Sequence, residues 1–166
     1  MHSIDNDIFN FLKELKNNNN REWFNSNKGR YLQIRESIKG FSNSIKDELN
    51  KFDQIDNVKI FRIYRDIRFS KDKTPYKKNF GIAFHRKKPK LRGGYYIHLE
   101  ENKTFIACGF WNPNKDDLNR IRKEFQIDSK EFRDIINNKN FKKVWGDLKG
   151  EELVSSPIGF SKDDPN

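Results

Sequence analysis

Between Arg62 and Lys77 the chain concentrates side chains able to hold an anion or move a proton: Arg62-Ile-Tyr-Arg-Asp-Ile-Arg-Phe-Ser-Lys-Asp-Lys-Thr-Pro-Tyr-Lys77. Phe61, Ile63, Ile67 and Phe69 recur at period two, and Arg62, Tyr64, Asp66 and Arg68 occupy the other phase. That alternation predicts a half-buried strand with one side in the core and the row Arg62, Tyr64, Asp66 and Arg68 turned outward. Two guanidinium forks hold a phosphate or carboxylate bidentately, Tyr64 donates or stacks, and Asp66 orients an arginine or acts as a base. The same spacing equally describes a satisfied polar face in which Asp66 pairs with its arginine neighbours. Spacing alone does not separate the two.

The next segment, Ser70-Lys71-Asp72-Lys73-Thr74-Pro75, sets two lysines, two hydroxyls and an acid in a turn whose proline pushes Thr74 toward extended geometry. Free N–H groups beside Ser70, Lys71, Lys73 and Thr74 suit an anion, and Lys77 closes the same basic stretch. The Gly-rich run and Gly-Lys-Ser/Thr order of a Walker loop are missing. A plain solvated hairpin turn is the competing reading. His98 shares its strand phase with Tyr96, and a meander can bring it beside the basic row, with Asp66 or Glu100 to hold its tautomer. This makes Asp66 and His98 the candidates for proton transfer. His85 at a strand end and His2 near the terminus complete three scattered histidines, with no ligand spacing for a metal and no motif for a cofactor.

The charge is as localised as the chemistry. The chain of 166 residues has a formal net charge of +10, yet Lys59 to His98 alone hold 13 Lys or Arg against Asp66 and Asp72, so the rest is close to neutral. Such a concentration attracts phosphorylated small molecules or nucleic acid in a salt-dependent way. Aromatics interleave with it, including Tyr76, Tyr95 and Tyr96, as single-stranded nucleic acid requires, though cross-strand packing uses the same residues. Cys108 is the only cysteine, which excludes an intrachain disulfide and reads as a partly buried, inert thiol. Without a long apolar run or a signal-like N-terminus, the expectation is a cytoplasmic protein with no membrane span.

These residues need a scaffold, and periodicity outlines one. Ile4 to Leu15 predicts a helix, and Asn17 to Asn20 a turn in which Asn20 caps a long second helix running through Phe24, Tyr31, Ile34, Ile38, Phe41, Ile45 and Leu49. A bend is expected near Gly29 or Gly40. Four strands follow, about Lys59 to Phe69, Asn79 to His85, Tyr95 to Leu99 and Thr104 to Trp111, joined by connectors too short for crossover helices. Helical patterns return over Lys115 to Phe125, Ser129 to Ile136 and Asn140 to Leu148. The sum is a single α+β domain over residues 1–166: an antiparallel meander of about four strands against N- and C-terminal helices, with residues 150–166 an extended arm.

The 62–77 motif, with Asn20-Arg-Glu-Trp-Phe24, Tyr95-Tyr-Ile-His-Leu-Glu100 and Gly109-Phe-Trp-Asn-Pro113, resembles a widespread bacterial family of unknown function, DUF2461, over most of the chain from Ile8 onward. The resemblance implies an α+β domain of bacterial or similar origin and names no substrate. It marks Arg62, Tyr64, Arg65, Asp66 and Arg68 to Lys77 as signature positions without assigning roles. Asp163-Asp164-Pro165 stands where members carry Asp-His-Pro, and members continue for further elements, so the resemblance implies a shortened member, a fragment or an incomplete cleft. The leading functional reading is binding of a phosphorylated ligand or nucleic acid by the basic face. The alternatives are an enzyme using Asp66 or His98 on a phosphorylated or carboxylated substrate, and a structural or interaction protein.

Overall fold

The computed structural model describes residues 4–161, so His2 and the Asp163-Asp164-Pro165 stretch lie outside the described residues. The chain divides into two compact units, Met1–Phe110 and Trp111–Asn166.

In the first unit, α1 spans Asp7–Asn17 and buries Ile8, Phe11, Leu12 and Leu15, the stripe its 3.6-residue period predicts. It starts later than the pattern because the Asp5 carboxylate accepts the Asp7 N–H at 2.9 Å in a turn before the helix. The tract Asn17–Asn20 is divided among tasks. The Asn18 side chain donates to Glu14 O at 3.0 Å, closing α1, and Asn20 Oδ1 accepts from Trp23 N at 2.9 Å, opening α2 (Arg21–Ser26). The expected long helix is thus two, α2 and α3 (Lys28–Leu49), parted at Asn27. Gly40 lies unbroken inside α3, and the break lets Phe24 leave the helical stripe and stack on Tyr76, ring centroids 4.0 Å apart. Arg30 ties α3 to α1 through Asp7 and Glu14, and its hydrogen bonds hold the Asp7 carboxyl below the usual carboxylate range.

The sheet is antiparallel in the order β1 (Ile55–Ile60), β2 (Phe80–Arg86), β3 (Gly94–Leu99), β4 (Phe105–Gly109). Ile60, Ile82, Ile97 and Ile106 lie in one cross-strand row, and Val58, Phe84, Tyr95 and Cys108 in the next. The β2 and β3 parts of this face join Phe11, Phe24, Tyr31, Ile34 and Ile38 in one core. Each fully buried Phe, Leu or Ile contributes about 1.5–3 kcal/mol, which makes this side of the sheet the fold's main source of stability. Toward β4 the cover thins, leaving Ile106 and Cys108 exposed. Cys108 was expected to be partly buried; partial desolvation still pushes its thiol up, away from nucleophilic reactivity. The opposite face carries Lys59, Gly81, Ala83, Tyr96, His98, Phe105 and Ala107.

The predicted strand Lys59–Phe69 is the main correction. Regular pairing ends at Ile60, and the segment continues as an irregular hairpin. Ile60 faces Ile82, but Tyr64, four residues on, faces Tyr76, six residues back, so the register slips between them. Pro75 has no N–H to give a ladder, and beyond Ile60 the two arms are joined by Phe61 N to Gly81 O at 2.9 Å, Arg65 N to Pro75 O at 2.9 Å and Lys77 N to Ile63 O at 2.8 Å. The apolar phase splits accordingly. Ile63 is 1% exposed in the core, Phe61 lies on the outer face beside Tyr96, and Phe69 is 96% exposed.

In the second unit, α4 (Lys115–Ile127), α5 (Lys130–Asn137) and α6 (Lys139–Trp145) follow one another. Asn114 caps α4 through Asp117 N, and Asn138 caps α6 through Asn140 N and Phe141 N. Phe125 of α4 meets Phe132 of α5 with ring centroids 4.8 Å apart. Residues 150–161 form no regular element, and Val154 and Ile158 are fully exposed.

Candidate functional site

Arg65 organises the hairpin. It sits on the inward phase of the motif, so strand alternation points it away from the outward row, and its guanidinium bonds to the hairpin's own loop. Nη1 donates to Asp72 Oδ2 at 2.6 Å, to Thr74 O at 3.2 Å and to the Thr74 hydroxyl, and Nη2 donates to Ser70 Oγ at 3.3 Å. Asp72 also accepts the Thr74 N–H at 2.9 Å. That backbone hydrogen bond, with Arg65 next, pulls the Asp72 carboxyl down to about 2. Lys73 Nζ donates to Ile67 O at 3.0 Å across the same loop. Ser70, Lys73 and Thr74, expected to face an anion, are therefore spent on folding the loop that presents their neighbours.

A second clamp joins this hairpin to the N-terminal helices. The Asn19 amide behaves as a short piece of strand: its Nδ2 donates to Tyr76 O and its Oδ1 accepts from Tyr76 N, both at 3.0 Å. Tyr76 is thereby held on Phe24, and Tyr64 packs edge-on to Phe24 at 5.6 Å and against Tyr76 at 5.4 Å. Burial pushes the Tyr76 phenol up, the charge of an ionised Tyr64 phenol would add to this, and the Arg21 cation opposes it.

Beside Tyr64 and Tyr76 opens a cleft of about 350 Å³ lined by Arg21, Asn25, Tyr64, Arg65, Ile67, Pro75 and Tyr76. It brings the Asn20–Phe24 and Arg62–Lys77 motifs, far apart in the chain, to one place. Its floor is aromatic. Its walls carry the Arg21 guanidinium, the Asn25 amide and the Tyr64 hydroxyl, which make no hydrogen bond to the protein among the described residues. A positive fork, an amide and a phenol over a ring surface suit a planar anionic ligand.

The expected site residues fall into separate groups. Tyr64 alone of them lines the cleft, 44% exposed. Arg62, Tyr64, Asp66 and Arg68 are all exposed, as their shared phase predicts, but not as one strand face. Asp66 binds Arg68 through both oxygens, at 2.9 and 2.6 Å, and its carboxyl is held low by Arg68 first and Arg62 last. A carboxylate so engaged is a poor base. Lys71 is exposed on the loop. Lys77 is on the outer sheet face, where burial, Arg62 and Lys59, in that order, push its ammonium down. His98 is there as well: Nε2 is 2.9 Å from Glu100 Oε2, and Nδ1 is 3.3 Å from the Tyr96 hydroxyl and 3.4 Å from Asn79 Nδ2. Of its two expected partners, Glu100 is the one present, which places the neutral ring's proton on Nε2 and leaves Nδ1 to accept. Asp66 and His98 share no described contact, and neither lines the cleft.

Arg21, Asn25, Arg65 and Tyr76 were missed as site residues. For Arg65 and Tyr76 the signal was present in the length of the motif. For Arg21 and Asn25 it was diluted, because a helix start with a cap and a Trp-Phe pair is explained by packing alone.

The fold and cleft define an α+β protein in which a motif hairpin is clamped to an N-terminal helix pair. The chain belongs to the family described as Conserved hypothetical protein (DUF2461), whose model matches residues 7–166. No curated protein and no solved structure matches it.

Proposed function

We propose that this is a cytoplasmic bacterial protein that binds a small phosphorylated ligand in the cleft between α2 and the Arg65 hairpin. The observation that carries the reading is the convergence of Arg21, Asn25 and Tyr64, with unspent hydrogen-bonding groups, on one cleft beside Tyr76, whose ring is fixed from behind by Phe24. The volume is at the small end of the usual range of about 300–1,000 Å³ for ligand sites, enough for a phosphate group and one ring. The surrounding segment, with 13 basic residues and two acids, supplies an attractive field for such an anion. Arg68, Lys71 and Lys73 do not line the cleft and contribute to that field rather than to contact. No helix among the described residues is long and apolar enough to cross a membrane.

The test is calorimetric titration with inorganic phosphate, a nucleoside monophosphate and the uncharged nucleoside. The monophosphate should bind most tightly, and Arg21→Ala should weaken it by about tenfold or more, the loss expected of a charged hydrogen-bond pair of about 1.5–3 kcal/mol. Arg21 is exposed, so its removal leaves the fold intact. Equal binding of the nucleoside and its monophosphate, or affinity unchanged in both Arg21→Ala and Tyr64→Phe, rejects the assignment.

A further inference from the structure

The outer face of the sheet is a second site, unconnected with the cleft. We infer that it binds single-stranded nucleic acid, its rings stacking bases while flanking cations take the phosphates. α1 to α3 pack on the other side, and among the described residues no helix of the first unit packs on this one. A chain of rings crosses it from strand to strand: Phe61 to Tyr96 at 6.3 Å, Tyr96 to Phe105 at 6.0 Å, and Phe105 to His98, directly opposite in register, stacked at 4.7 Å. Phe105 is 49% exposed.

The floor beneath the rings is a glycine for a steric reason. A β-carbon at Gly81 would stand 2.5 Å from the Tyr96 hydroxyl and 3.2 Å from the Phe61 ring, so the absence of a side chain there lets the Tyr96 ring lie down between Phe61 and Phe105. The cations gather at the Phe61 end. Lys59 and Lys77 place their ammonium groups 5.1 and 5.6 Å from that ring, and Arg62 is close enough to help push Lys77 down. None of the three has an ion-pair partner among the described residues, whereas Arg65, Arg68 and Arg86 each do. Three positive groups crowded together against their own repulsion are stabilised by an anion. Glu100 is the acid on this face, and it is engaged by His98 at the end remote from the lysines.

Rings with cations along one side are what a sequence-tolerant single-strand surface requires, because every base has a stacking face and every phosphate a charge. A duplex buries its base faces and gains from the cations only. The rings therefore predict which nucleic acid is preferred.

Fluorescence anisotropy with a labelled oligothymidylate, competed by duplex DNA and by heparin, tests this. Saturable binding is expected, with the single strand preferred over the duplex. Phe105→Ala should weaken it about tenfold, the effect of losing one stacking ring. Lys59→Gln and Lys77→Gln should each reduce the log–log salt slope by about 0.7. Phe105 is half exposed, so its truncation is tolerated, and circular dichroism of each variant confirms the fold. Arg21→Ala should leave oligonucleotide binding unchanged. No saturable binding at low salt overturns the inference, as does binding that heparin competes equally and Phe105→Ala does not alter. Loss in Arg21→Ala with no effect of Phe105→Ala overturns it too, while leaving the cleft reading standing.

Discussion

Replacing Arg65 with alanine should loosen the motif hairpin without unfolding the core. The side chain is 23% exposed, and its guanidinium is shared among Asp72, the Thr74 carbonyl and hydroxyl, and Ser70. Asp72 is open to water and regains its solvation when the arginine goes, so that contact adds little to the loss. The three remaining acceptors are half buried and lose a charged donor, for a total of about 2 kcal/mol. For a chain of this length that corresponds to a fall in Tm of about 4–8 °C. Arg65→Lys keeps the charge but cannot fork to three acceptors, and should recover less than half of the loss. Arg68→Ala removes only a surface pair and should leave Tm unchanged. Thermal denaturation measures the global effect. Amide exchange should show faster exchange at Thr74, whose N–H bonds Asp72, and at Lys77, whose N–H bonds Ile63 O. An Arg65→Ala protein melting within about 1 °C of wild type, with those amides unchanged, would refute the idea that this arginine folds the loop.

Other expectations follow from neighbouring contacts. Asn19→Ala removes both bonds to the Tyr76 backbone and should cost about 1–2 kcal/mol in urea denaturation; a neutral result would mean the helix pair holds the hairpin by packing alone. Gly81→Ala forces the Tyr96 phenol aside at about 1–3 kcal/mol and should shift the Tyr96 and His98 ring resonances together, an outcome absent if the ring has room to move. Asp72, depressed from 3.8 to about 2, stabilises the folded loop fully above pH 3.8 and loses that contribution as pH falls through about 2. Carbon-detected NMR of its carboxyl should give the low value, and titration near 3.8 would show that Thr74 N–H and Arg65 do not hold it in solution.

Much of the scaffold was legible because it is repetitive. Ile8, Phe11, Leu12 and Leu15 could only be one face of a helix, and Phe80, Ile82, Phe84 against Gly81, Ala83, His85 only a strand with two unlike sides. The hairpin was not legible from the same rule. Alternation persists in exposure from Arg62 to Arg68, but exposure alternates in any extended chain, and what decides a ladder is whether N–H and C=O groups meet across it. Pro75 withholds one donor and the register slip misaligns others, neither of which shifts the hydrophobic period. Arg65 is hard to read for a different reason: period two sets it on the apolar phase, where it joins no outward row, although an arginine there needs acceptors and Ser70, Asp72 and Thr74 lie a few residues on.

The four consecutive asparagines look interchangeable, yet each is addressed by position: one ends a helix, one seals it, one mimics a strand, one starts the next helix. Copy number is therefore as constrained as identity. Inserting or deleting a single asparagine leaves composition almost untouched but rotates the helix cap and the strand mimic out of phase with each other, so a tract that resembles a tolerant spacer should be intolerant of any change in its length.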